Sequence, residues 1–71
     1  MSERKEHYLL RWFTWKHLPD HLKPTSIKFR GLAEMIDQTI PDGAEKTTAL
    51  RKLLEAKDAA VRAVIEGRDK G

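Results

Sequence analysis

Pro41-Asp42-Gly43-Ala44-Glu45 is the feature that most constrains this chain, because it stops one helical stripe and starts another within a few residues. Upstream, Phe29, Leu32, Ala33, Ile36 and Ile40 recur at the spacing of one helix face. Thr25 or Ser26, after Pro24, supplies an N-cap and Pro41 the stop, which predicts a helix over 25–40. Downstream, Asp42 with Glu45 at the third helical position reads as a capping-box variant. Leu50, Leu53, Leu54, Ala60, Val61, Val64 and Ile65 then form a second stripe, and Gly67 closes it, predicting a helix over 42–67. A linker this short makes antiparallel neighbours of the two helices. The expected fold is all-α: an N-terminal aromatic arm over 1–24, a helical hairpin, and a frayed tail over 68–71, in one domain spanning 1–71.

Seventy-one residues leave no room for a second domain. A chain this short hides only about 60% of the surface its unfolded form exposes. With no cysteine, neither disulfides nor thiolate zinc sites can reinforce the fold. Self-association is the stabiliser that remains, and a homo-oligomer is expected. Met1 is followed by Ser2-Glu3-Arg4-Lys5-Glu6-His7, and Tyr8-Leu9-Leu10 is too short for the apolar core of a signal peptide. No apolar stretch approaches the length of a membrane span. A soluble product inside the cell is the expectation.

Charge and rings are unevenly placed. Residues 1–30 hold seven Lys/Arg against three acids, and residues 31–71 hold seven against eight, so the net charges are +4 and −1. All three histidines and all five aromatic residues lie in the first thirty. Two helices and a turn cannot cover five rings within one subunit, so some of them should meet a second chain or a ligand. A basic, aromatic front favours an anionic partner with flat rings. Arg11, Trp12, Phe13, Trp15, Lys16 and Arg30 combine cations that meet phosphate with rings that stack on bases. The same residue types also anchor protein interfaces.

Two further constellations bear on chemistry. Lys46, Thr47 and Thr48 open the second helix, with Arg51 one turn on, so a cation and hydroxyls stand beside free N–H groups at a positive helix end. That combination suits phosphate oxygens, although exposed helix surface looks the same in sequence. His17 and His21 have the four-residue spacing of a two-histidine metal face, but Pro19 lies between them, and exposed or satisfied histidines are the expectation. No nucleophile-and-base set, P-loop or dinucleotide-binding glycine motif is present, so neither an enzyme nor a cofactor is expected. Lys57 falls inside the apolar stripe of the second helix, where a lone ammonium is costly. It should snorkel, pair across an interface with an acid such as Asp58, Asp37 or Glu34, or meet a ligand anion.

The segment from Pro41 to Ala56, PDGAEKTTALRKLLEA, resembles the second-helix motif of a phage family. That motif runs Pro, two variable residues, Arg, Glu, Arg, Ser, a variable residue, Ala, Leu, Thr, Lys, Leu, Glu, Glu, Ala, in register and without gaps. The family is the small phage-encoded cyclic-nucleotide sponges that defeat CBASS immunity, related to those that defeat Thoeris signalling. Ala60 and Ala63 fall where that family places small residues, and Phe13-Thr14-Trp15-Lys16-His17-Leu18-Pro19 is similar to its aromatic arm. Arg30, followed by Leu32-Ala33, stands where its first helix carries a basic residue. The likeness covers residues 13–64. Ala44 departs from the family's Arg, Trp15 from its Tyr and Arg51 from its Thr.

The resemblance implies a symmetric homo-oligomer, a dimer or a hexamer built from dimers, acting in the cytoplasm of an infected bacterial host. Its pockets between subunits would hold cyclic di- or trinucleotides, or cyclic ADP-ribose isomers, without cleaving them. Trp15, beside Phe13, would stack on a base and Arg30 would bind phosphate. Lys46 and Thr47 would match the basic and hydroxyl pair at the helix start, with Arg51 nearby. The rival expectations are a small nucleic-acid-binding protein and a helical protein-interaction module.

Overall fold

The computed structural model describes residues 6–68 in full and the backbone as far as Lys70. A 3-10 helix over Tyr8–Trp12 is followed by α1 (Lys23–Thr39) and α2 (Ala44–Lys70). Among the described residues there is no strand, as the two helical periodicities require. The expected arm, residues 1–24, is described only from Glu6 onward.

Both long helices begin and end away from their expected limits, each for a local reason. Helix α1 starts at Lys23, with Pro24 in its first turn instead of ahead of it. The N–H that proline lacks is one that the first turn leaves unpaired anyway. Ser26 is therefore inside the helix, its N–H bonded to the Leu22 carbonyl (3.3 Å), and neither it nor Thr25 is the cap. Its hydroxyl is buried and has no hydrogen-bond partner among the described residues. At the other end Ile40 is extended (φ −97°, ψ 133°), the conformation favoured before a proline.

The carbonyl of Gly43 accepts from the Thr47 N–H (3.1 Å), so Gly43, and not Asp42, is the cap from which α2 (Ala44–Lys70) begins. Its φ of +154° is one that side-chain-bearing residues rarely adopt. Gly67 does not close α2, which runs through it to Lys70. A glycine inside a helix weakens it without breaking it, and residues 68–70 continue the helix instead of fraying.

The chain turns back at Ile40–Gly43 and packs α2 on α1 as a helical hairpin. Leu10, Phe13, Ala33 and Leu50 form its buried centre, flanked by Leu9, Phe29, Ile36, Leu53 and Leu54. The 3-10 helix thus adds Leu10 to a core that the hairpin alone would leave open. Helix α2 has 27 residues against 17 in α1, and the molecule measures 50 × 23 × 15 Å. Lys57 is 13% exposed and pairs with Asp58 of its own helix at 3.0 Å. No described helix is long and apolar enough to cross a membrane.

Candidate functional site

The core places the site through Phe13. This residue ends the 3-10 helix, its N–H bonded to the Leu10 carbonyl (3.0 Å), and its ring is 1% exposed. With that ring fixed, Thr14 and Trp15 run on without helical structure to a turn closed by the Leu18 N–H on the Trp15 carbonyl (3.1 Å). A second turn follows, with Leu22 N–H on the Pro19 carbonyl (2.9 Å). The result is a pocket of about 520 Å³ lined by Phe13, Thr14, Trp15, Lys16, His17, Arg30 and Glu34. That volume lies in the range of small-molecule sites. Three of the six expected site residues, Phe13, Trp15 and Arg30, are brought together here.

Arg30 is held from three sides. Its Nε donates to Glu34 Oε2, its Nη1 to the Leu10 carbonyl and its Nη2 to Glu6 Oε2, each at 2.8 Å. A guanidinium carries five N–H groups in a rigid plane, so two remain for another acceptor. Glu6 is the outer partner, about half exposed, and an incoming anion would compete with it. Lys16 holds its ammonium 5.9 Å from the centre of the Trp15 ring. Ring and cation together can serve a planar, negatively charged molecule.

Lys46, Thr47 and Arg51 line no part of this pocket. The expectation of a phosphate-ready cation at the start of α2 is corrected for Lys46. Its side chain is only 1% exposed and its ammonium donates to the Asp42 carboxylate and the Asp37 carbonyl, both at 2.8 Å, with Asp37 Oδ1 at 3.2 Å. Hydrogen bonding to Asp42, then Asp37 and the charges of both, hold its pKa above the ordinary lysine value despite burial. An ammonium closed in by two carboxylates is a structural tie between α1 and α2. Thr47 is tied as well, its hydroxyl 3.1 Å from His7 Nε2. Arg51 is exposed on α2.

His7 went unread in the sequence, yet it joins three elements. Its Nδ1 accepts from the Leu9 N–H (3.1 Å) and caps the 3-10 helix, while its backbone N–H reaches Asp37 Oδ2 at 3.4 Å. Since Nδ1 accepts, the ring proton sits on Nε2, which donates to Thr47. Glu6 and Glu34 were also missed as Arg30 partners. The four-residue step from Arg30 to Glu34 was a readable signal, whereas the 24-residue separation of Glu6 from Arg30 left none. His17 and His21 are both exposed.

The rings divide as their number requires. Phe13 is buried, Phe29 and Trp15 are half-buried, and Tyr8 and Trp12 remain 62% and 52% exposed. The Arg11 guanidinium lies over Trp12, 5.0 Å from its ring centre. Comparison with protein-family models, with curated proteins and with solved structures finds no match to this chain.

Proposed function

We propose that this chain binds cyclic oligonucleotide signals, or cyclic ADP-ribose isomers, and sequesters them without cleavage, as a phage protein acting inside the bacterial host. The observation that carries the reading is the convergence of Phe13, Trp15 and Arg30 on one pocket. Trp15 and Arg30 are the residues to which the resemblance gives base stacking and phosphate binding, Phe13 belongs to the same arm, and the sequence separates the three by up to 17 positions. Lys16 and His17 add a cation and an imidazole at the same rim. Trp15 would stack on a base and the free N–H groups of Arg30 would take phosphate oxygens, with Glu6 giving way. Sequestration asks for tight, complete enclosure, near nanomolar or about −12 kcal/mol. An open pocket on one copy provides less than that, so assembly into a homo-oligomer, dimer or hexamer, would close it. Arg51, exposed on α2, is available to a ligand held between copies.

Titration calorimetry with a panel of cyclic di- and trinucleotides and cyclic ADP-ribose isomers tests the site. Trp15→Ala and Arg30→Glu should each reduce affinity at least about 30-fold, a loss of 2 kcal/mol or more, while far-UV circular dichroism stays helical. Full-strength binding by both variants would remove the pocket from the proposal. One observation favours the interaction-module reading instead: the Arg11–Trp12 pair and Tyr8 are exposed outside the pocket. On that reading the wild type binds nothing in the panel.

A further inference from the structure

We infer that the outward side of α1 is a self-association surface on which a second copy of this chain crosses antiparallel at Gly31. This deepens the proposed function, which already takes the chain as self-assembling, by naming the surface that assembles.

Pro24, Ile27, Lys28, Gly31, Leu32 and Met35 fall within one arc of about 140° of α1 at 3.6 residues per turn, and all six are exposed. Ile27, Leu32 and Met35 remain 41%, 43% and 46% exposed. Lys28 is the one charge among the six, in a chain whose residues are 35% charged. The outward side of α2 is the opposite, carrying Arg51, Lys52, Glu55, Arg62 and Glu66, all exposed. Gln38 and Thr39 are exposed in the same arc. A helix with an apolar stripe on both sides belongs between two packed layers, and among the described residues α1 has one, on its Ala33 side.

Gly31 points to what forms the second layer. A Cβ added there meets no atom within 4 Å among the described residues, and its backbone does not need positive φ. Glycine inside a helix costs stability relative to alanine. Nothing among the described residues repays that cost, whereas close approach of another backbone does.

The pattern around Gly31 is symmetric. Ile27 and Met35 stand four residues to either side of it, both exposed. A two-fold crossing at Gly31 sets Ile27 of each copy beside Met35 of the other, filling both flanks with the same pair. Such self-complementarity is what a two-fold interface demands, and an unrelated partner gives no reason for it. The Lys28 stem covers apolar surface while its ammonium reaches water.

Sedimentation velocity over a concentration series, on the full chain and on Gly31→Leu and Ile27→Glu, tests the assignment. Leucine is a stronger helix former than glycine, so Gly31→Leu retains the fold and fails only by bulk at the crossing. The wild type should assemble, and each variant should associate at least about 30-fold more weakly with helical circular dichroism intact. A monomeric wild type, or variants that assemble as it does, would overturn the inference. Variants that assemble normally and still capture a cyclic nucleotide sink this surface alone. Assembly lost in the variants, with no cyclic nucleotide bound by the wild type, upholds the surface and sinks the proposed function.

Discussion

Lys46 ties α1 to α2 because every partner it has is an acceptor and its side chain is closed to water. Its raised pKa fixes the sign of a pH effect. A lysine whose folded pKa exceeds its unfolded one stabilises the protein fully below the unfolded value, and that stability is lost as pH rises through the folded value. The thermal midpoint should therefore fall more steeply above about pH 10.5 in the wild type than in Lys46→Met. Equal slopes in the two proteins would show that the ammonium is not what holds the helices there. The sequence offered Lys46 as a ligand cation for an understandable reason: a lysine in the first turn of a helix is usually solvated. Its partner Asp37 lies nine positions earlier, on the other helix. Asp42, at the four-residue spacing that pairs charges on a helix, was read as a cap instead.

Among the elements, the turn at Gly43 decides whether the hairpin closes. A side chain at φ +154° is strained against its own backbone, even though the space around Gly43 is otherwise open. Gly43→Ala should destabilise the protein by about 1–3 kcal/mol, or roughly 4–8 °C per kcal/mol in thermal midpoint for a domain this size. A midpoint unchanged by that variant would contradict the role given to this turn. Both long helices were legible, because apolar periodicity and a Pro-Asp-Gly break are local signals. Their ends were less so. Pro24 can precede a helix or sit in its first turn, and Gly67 can close a helix or be carried within one. The choice between them is made by packing, which no window of sequence contains. The 3-10 helix was harder still, since its cap is the His7 ring and its place is set by Leu10 in the core and by Arg30 and Thr47 on other elements.

At the scale of the whole molecule, the described residues leave much uncovered: Tyr8, Trp12, the outward side of α1, and a pocket open at its rim. The excess of rings over core, legible from composition, has this structural form. Of the six expected site residues, three line one pocket. Phe13, Trp15 and Arg30 converge, and the resemblance to the sponge family had grouped them before any geometry did. Glu6 and Glu34, which now hold Arg30, were not. A separate nucleic-acid-binding role would use the same basic front, and its affinity would rise with strand length and fall steeply with salt. An intersubunit pocket would prefer a small cyclic ligand.

Native mass spectrometry of the purified protein with the panel of cyclic di- and trinucleotides and cyclic ADP-ribose isomers, followed by heat denaturation and recovery of the ligand, tests the central claim most directly. The account predicts an oligomer that carries ligand and releases it chemically intact. A monomer or an oligomer that binds none of the panel, or a ligand recovered cleaved, would contradict it.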